Sequence, residues 1–219
     1  NFSLLGAEWK ASDFRRLVGE LETVLPDGAW PNYVLGTHDD HRLASRFGQQ
    51  QARVAAMLLL TLRGTPTLYY GDEIGMKNIH VPPELAQDPA GFKDPSQGRD
   101  VNRSPMQWSA EENAGFSPPG SRSPWLPLAE DYQTRNLESQ RLESRSIYQL
   151  YRKLLNLRKN SPVLQSGSYQ EISGFPDPVY AYTREHNGEK FLILLNFSSE
   201  SQQLSLQESS SAKILISTF

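Results

Sequence analysis

Cysteine is absent from the 219 residues, which excludes disulfide frameworks, thiolate nucleophiles and cysteine-ligated zinc. Its absence suits a reducing compartment, and a cytoplasmic location is the expectation. Charge of one sign is not in excess: 22 Lys and Arg against 25 Asp and Glu leave a net charge of −3. A nucleic-acid partner would call for a basic face, so none is expected. Long apolar runs are also missing. The longest, around residues 54–62, contains Thr61 and is closed by Arg63, short of the roughly 18 to 20 residues that span a bilayer. No membrane segment is expected in this chain, and no leader peptide is visible.

What is present is a modest hydrophobic content of 37%, enough at this length for one or two globular domains. The first five residues read as the inside of a strand, and Phe219 follows another apolar strand. Both ends therefore look like cuts in a longer protein. Asn1, Asn102 and Asn196 head N-x-S triplets, which matter only in a secreted protein.

The first part of the chain alternates short apolar strands with helices. Residues 1–5 read as a strand. A helix follows with Ser12 or Asp13 as its cap, and Phe14, Leu17, Val18, Leu21, Val24 and Leu25 recur at helical spacing. Pro26-Asp27-Gly28 ends it. Residues 33–35 read as a second strand, 49–62 as a buried helix and 65–70 as a third strand. This rhythm implies parallel strands with helical crossovers. From 72 to about 145 the periodicity disappears, as in a functional loop excursion or a linker, and Trp108, Phe116 and Trp125 argue against disorder. Residues 146–159 form one more helix, stopped by Asn160-Ser161-Pro162. Residues 163–219 read as a small antiparallel β-domain. Strands are expected over 179–184 and 190–197, joined through Asn187-Gly188, with two more over 201–206 and 213–218.

One stretch concentrates chemistry: His38, Asp39, Asp40, His41 and Arg42, directly after the second strand. The C-terminal end of a parallel strand is where α/β folds carry function. Successive side chains of an extended segment point to opposite faces, so the four cannot converge on one ion, and no partner ligands occur at suitable spacing. No metal and no other cofactor is expected. A solvated turn with capping aspartates is the bland alternative. A carboxylate beside a histidine, however, suits a developing positive charge or a sugar hydroxyl, as glycoside hydrolysis requires.

The stretch from Trp30 to Asp39 resembles the seventh-strand motif of the α-amylase family, glycoside hydrolase family 13, in its α-glucosidase and oligo-1,6-glucosidase branch. Thr37 stands where the family commonly has Asn. Gly64-Thr65-Pro66-Thr67-Leu68-Tyr69-Tyr70-Gly71-Asp72-Glu73-Ile74-Gly75-Met76 is similar to the eighth strand and its exit. Gly98-Arg99-Asp100-Val101-Asn102-Arg103-Ser104-Pro105-Met106-Gln107-Trp108, continued by Ala114-Gly115-Phe116-Ser117, resembles the α-glucosidase signature that follows. The residues from Tyr148 to Pro162 look like the last barrel helix.

The resemblance implies an α/β fold: the C-terminal part of a (β/α)8 barrel, about strands six to eight, over residues 1–162, then a partial antiparallel β-sandwich over 163–219. It implies that Asp39 stabilises the transition state, that His38 hydrogen-bonds the sugar where cleavage occurs, and that Arg99 holds the non-reducing glucose. Without the family, Arg99 would be read as a loop salt bridge to Asp100 or Asp94. Arg103 reads as a support, Asp72 and Glu73 as structural, and Arg42 and Arg46 as partners of carboxylates near the rim. Trp108 and Trp125 are stacking candidates or loop-packing residues.

A retaining mechanism needs a nucleophile and an acid/base carboxylate roughly 5 Å apart. The family carries these on strands four and five, which have no counterpart here. The expected partner is an α-glucoside oligosaccharide, cleaved by a full-length parent of which this chain is an inactive part, prone to associate through exposed barrel edges. The same motifs occur in sucrose isomerases, trehalose synthases and transglucosidases, and in non-catalytic heavy chains of amino-acid transporters.

Overall fold

A computed structural model describes residues 2–206 and 212–219. In chain order the regular elements are helix α1 (Ala11–Val24), strand β1 (Asn32–Val34), helices α2 (Leu43–Arg46) and α3 (Gly48–Thr61), and strand β2 (Thr65–Thr67). After a stretch of single 3₁₀ turns come α4 (Pro89–Lys93), α5 (Leu137–Leu142), α6 (Ile147–Asn160) and α7 (Pro162–Ser166). Strands β3 (Ser168–Glu171), β4 (Val179–His186) and β5 (Glu189–Asn196) complete the set. Two compact units share these elements: residues 1–35, 53–67 and 152–219 form the first, and residues 36–52 and 68–151 the second.

In the first unit α1 buries Ala11, Phe14 and Val18 on one face. Its start differs from expectation. Lys10 occupies the cap position and no side chain caps the helix; Ser12 and Asp13 lie inside the first turn, where Asp13 complements the helix dipole. Phe14 meets Trp9 and Phe197 with ring centroids 5.2 Å away in each case. Trp9 stacks on Phe197 at 4.4 Å. β1 and β2 pair directly and in parallel, Asn32 opposite Thr65 and Val34 opposite Thr67. A Cβ on Gly64 would come within 2.8 Å of the Pro31 carbonyl, so glycine is what lets the chain enter β2. Arg158 donates to the Leu60 and Leu62 carbonyls at 2.9 and 3.1 Å, satisfying the open end of α3.

The antiparallel sheet has the order β3-β4-β5. Asn187 and Gly188 both have positive φ, 50° and 83°, as the two-residue Asn-Gly turn requires. β4 is central, and six consecutive residues from Val179 to Arg184 are buried.

Four readings are corrected. Residues 3–6 form turns, not a strand, and Asn1 lies outside the described residues. The strand expected over 65–70 ends at Thr67. Residues 201–206 and 212–218 carry no strand. Pro162 not only stops α6 but opens α7 as its first residue, where its missing N–H costs nothing. β3 was not anticipated: Ser168-Tyr169-Gln170-Glu171 is too short and too polar to announce itself.

The second unit is held by a small apolar cluster of Ile74, Met76 and Met106, with Leu137 and Tyr148 packed on it. Polar cross-links do the rest. Gln140 is buried and donates to the Ile74 carbonyl at 2.7 Å. Gln49 donates to the Gly75 carbonyl at 2.8 Å, and Arg135 bridges Asp131 at 2.7 Å and Gln49 at 3.0 Å.

Candidate active site

The charged stretch runs from Gly36 to Arg42 in the second unit. Gly36 lies so close to Asp72 that a Cβ would come within 2.9 Å of Asp72 Oδ2; any larger residue would push the following segment off its course. Thr37 then shapes the turn. Its Oγ1 donates to Asp40 Oδ2 at 2.6 Å and accepts the Asp39 N–H at 3.1 Å. Such side-chain-to-backbone bonds close a tight turn, as Asx and Ser/Thr turns do.

The backbone is fixed from across the loop. The His38 carbonyl accepts from Asn102 Nδ2 and Arg103 Nε, both at 2.8 Å. Asn102 is buried by this bond, so its N-x-S triplet cannot act as a glycosylation acceptor in the folded state. The Asp39 carboxylate then meets two arginines and a histidine. Oδ1 accepts from Arg103 Nη2 at 2.8 Å and Arg99 Nη1 at 3.1 Å, while Oδ2 lies 3.5 Å from His38 Nε2. Partial desolvation pushes the Asp39 carboxyl up, but His38, Arg103 and Arg99 outweigh it and hold it below its ordinary value. Asp39 thus stays ionised while its side chain remains 49% exposed.

Of the site residues expected from sequence, His38, Asp39 and Arg99 come together. Arg103 joins them directly, supporting Asp39 and the His38 carbonyl. Arg99 pairs with neither Asp94 nor Asp100. Asp94 turns back onto Ser96, and Asp100 accepts the Gln87 and Asp88 N–H groups at 2.6 and 2.8 Å. The partner of Arg99 is Asp88, which sequence reasoning missed. Asp88-Pro89 reads as a helix start with an Asp cap, and Asp88 Oδ1 does accept the Ala90 N–H. Spacing alone gives no hint of the arginine 11 residues later.

The rest of the stretch faces elsewhere. His41 bonds Asn78, and Arg42 is fully buried. Arg42 donates to the Tyr70 carbonyl at 2.7 Å and lies over the Tyr69 and Tyr70 rings, with no carboxylate pair among the described residues. Arg46 lies over Phe47. Glu73 Oε2 accepts the Gly71 N–H at 2.7 Å and closes the turn. Asp72 is buried, and desolvation pushes its carboxyl up to about 7 despite Arg42. Tyr70, Arg103, Met106, Trp108, Phe116 and Trp125 line a cavity of about 390 Å³. Among the described residues no three His, Asp or Glu side chains are grouped to hold a metal ion, and no helix is long and apolar enough to cross a membrane.

Residues 3–167 match the α-amylase catalytic domain, and residues 179–219 match the C-terminal domain of the α-amylase SusG. The chain is 38% identical to the α-glucosidase of Apis mellifera over 204 residues, covering 90% of this chain and 35% of that protein. It is 41% identical to the human amino acid transporter heavy chain SLC3A1 over 189 residues, covering 83% of this chain and 25% of that one. The α-glucosyl transfer enzyme XgtA superimposes with a TM-score of 0.86 at 34% identity, over 95% of this chain and 39% of the enzyme. The chain thus spans about a third of the length of the curated relatives it matches. The fold is the C-terminal part of a (β/α)8 barrel followed by a small antiparallel β-domain, and the chain belongs to the α-amylase family, glycoside hydrolase family 13.

Proposed function

We propose that the full-length protein containing this chain cleaves terminal α-linked glucose from short oligosaccharides with retention. One observation carries the reading: a half-exposed Asp39 carboxylate held by Arg99, Arg103 and His38 within 3.5 Å. A fixed, ionised carboxylate with an open side stabilises an oxocarbenium-like transition state without having to reorganise. In this reading Asp39 is the stabilising carboxylate, and His38 and Arg99 hold sugar hydroxyls. Likeness to an α-glucosidase supports the class.

The reading has a corollary for the chain alone. Retention needs two more carboxylates, which the family carries on strands with no counterpart in these residues. Among the described residues β1 pairs only with β2, so backbone edges of the barrel sheet stay open. The isolated 219-residue chain is expected to be inactive and to associate; a stable, monodisperse and inert monomer in analytical ultracentrifugation would contradict the second expectation.

In the full-length protein, Asp39→Asn should lower kcat on maltose by about a thousandfold or more with folding unchanged. A near-normal kcat would sink the assignment. Likeness to an α-glucosyl transfer enzyme supports a second outcome at the same site, transfer of glucose to a sugar acceptor. Product analysis with maltose and sucrose separates hydrolysis from transfer or isomerisation. Likeness to a transporter heavy chain supports a non-catalytic reading, which any Asp39-dependent turnover eliminates.

A further inference from the structure

Asp88 lies in the irregular excursion and has no place in the reading above, yet it is one of the most heavily bonded carboxylates in the second unit. It is buried, and its oxygens receive four N–H groups. Oδ2 accepts Arg99 Nε at 2.7 Å and the Arg99 backbone N–H at 2.9 Å; Oδ1 accepts Arg99 Nη2 at 2.9 Å and the Ala90 N–H at 3.2 Å. This is the two-pronged pairing of guanidinium with carboxylate, reinforced by a backbone bond. The segment bearing Asp88 is tied down in turn, because Asp100 Oδ2 accepts the Gln87 and Asp88 N–H groups. Arg99 is therefore clamped at its backbone and along one edge of its guanidinium by residues that do not reach Asp39.

What remains of that guanidinium is the second Nη2 N–H and the two on Nη1, with Nη1 3.1 Å from Asp39 Oδ1. The side chain of Arg99 is 41% exposed. An arginine that open on one side, with a carboxylate beside it, would swing to form the same two-pronged pair with Asp39. Both Asp39 oxygens would then be occupied and turned away from the sugar. Binding the Nε–Nη2 edge to a second, buried carboxylate fixes the guanidinium plane and opposes that swing. The pairing is strong in both directions: Arg99 holds the Asp88 carboxyl far below the usual range, and Asp88 raises the guanidinium.

We infer that Asp88 is a positioning residue, which fixes Arg99 so that it offers one nitrogen to Asp39 and its remaining N–H groups to the sugar. The inference rests on the α-glucoside reading. It assigns Asp88 no contact with substrate; its effect passes entirely through Arg99.

The experiment is a double-mutant cycle in the full-length protein, with steady-state kinetics on p-nitrophenyl α-glucopyranoside and a thermal midpoint for each variant. Asp88→Asn should lower kcat/KM by about tenfold or more, with most of the change in KM. The Asp88→Asn/Arg99→Ala double variant should be no slower than Arg99→Ala alone, within about twofold, because Asp88 has nothing to act on once the guanidinium is gone. Effects that multiply would overturn the inference, as would normal kinetics in Asp88→Asn beside an impaired Arg99→Ala. Asp88→Ser keeps an acceptor for the Ala90 N–H and drops the charge; it is read by the same criterion if Asp88→Asn does not fold. Failure of both to fold overturns the inference, since the carboxylate would then serve folding and not positioning. Absence of turnover in the wild-type protein, or an unaffected Arg99→Ala, overturns the α-glucoside reading and this inference with it.

Discussion

The antiparallel sheet of the first unit and the segments around Asp39 in the second are ordered by different means. The sheet is built on continuous burial. Val179, Tyr180, Ala181 and Tyr182 are almost entirely inaccessible, with Ile193 and Leu195 beside them on β5. Burial of this kind is non-directional, proportional to area, and tolerant of small adjustments. The Asp39 region has few apolar anchors. Thr37, Asp88, Arg99, Asp100, Asn102 and Arg103 hold it through directed bonds mostly between 2.6 and 3.1 Å. Hydrogen bonds to charged groups are short and angle-dependent. They place a carboxylate to a fraction of an ångström, which apolar packing does not. The first region gains stability and the second gains aim.

Arg184 breaks that division and gives the largest expected effect on stability. It sits fully buried in the middle of the sheet, with no carboxylate partner among the described residues. It donates instead to four carbonyls: Ser168 at 3.1 Å, Thr61 at 2.7 Å, Leu164 at 3.3 Å and Gly167 at 2.9 Å. Burial lowers its guanidinium pKa to about 10, still well above neutrality, so the charge persists at working pH. Arg184→Ala removes four bonds, leaves carbonyls unsatisfied and opens a cavity, and should cost about 3 to 5 kcal/mol in urea unfolding of the full-length protein. Arg184→Lys should recover little, because an ammonium cannot span four carbonyls. A lysine variant of wild-type stability would show that the positive charge, and not the fork, is what the sheet needs.

Asp72 sharpens the comparison from the other side, as a carboxylate of the charged region that burial dominates. Desolvation pushes its carboxyl up to about 7, outweighing the attraction of Arg42, and its Oδ1 has no hydrogen-bond partner among the described residues. An aspartate in the unfolded chain titrates near ~3.9. The folded state therefore keeps a proton that the unfolded state has released. This favours folding fully below about pH 4, and the advantage is lost as pH rises toward about 7, at up to ~1.4 kcal/mol per pH unit. Asp72→Asn should flatten that part of the stability profile and raise stability at neutral pH by about 1 to 3 kcal/mol. An unchanged slope between pH 4 and 7 would mean that Asp72 is ionised and paired in solution.

The two regions also differ in how far their sequences announce them. Asn187-Gly188 between two apolar runs foretold the hairpin, because one turn type demands positive φ at both positions and few residues accept it. The helices over 11–24, 48–61 and 147–160 were legible from apolar spacing to within a residue or two at most ends. Periodicity failed where bonding is not periodic. β3 is polar and is fixed by pairing with β4, and residues 201–206 have strand-like alternation but no strand. In the candidate site, motifs single out His38, Asp39 and Arg99, and the fold brings the three together. They do not single out Asp88, since a carboxylate that meets an arginine across an irregular loop leaves no pattern. The direct bond from Arg103 to Asp39 was invisible for the same reason.

The smallest effect tests whether one directed bond matters inside the apolar sheet. Tyr182 Oη lies 2.5 Å from Thr61 Oγ1, and Thr61 Oγ1 lies 2.6 Å from the Met57 carbonyl. A threonine hydroxyl has one proton. That carbonyl can only accept, so Thr61 donates to it, and Tyr182 must donate to Thr61. Tyr182→Phe therefore removes one donor and leaves Thr61 still bonded to Met57. Because Tyr182 is entirely buried, the phenylalanine ring keeps the packing and loses only the bond. The expected cost is about 1 kcal/mol in urea unfolding, with no change in slope. Thr61→Val should cost more, since it strands both the Tyr182 hydroxyl and the contact to the Met57 carbonyl in an apolar setting. Equal costs for the two changes would mean that the tyrosine proton goes to another acceptor.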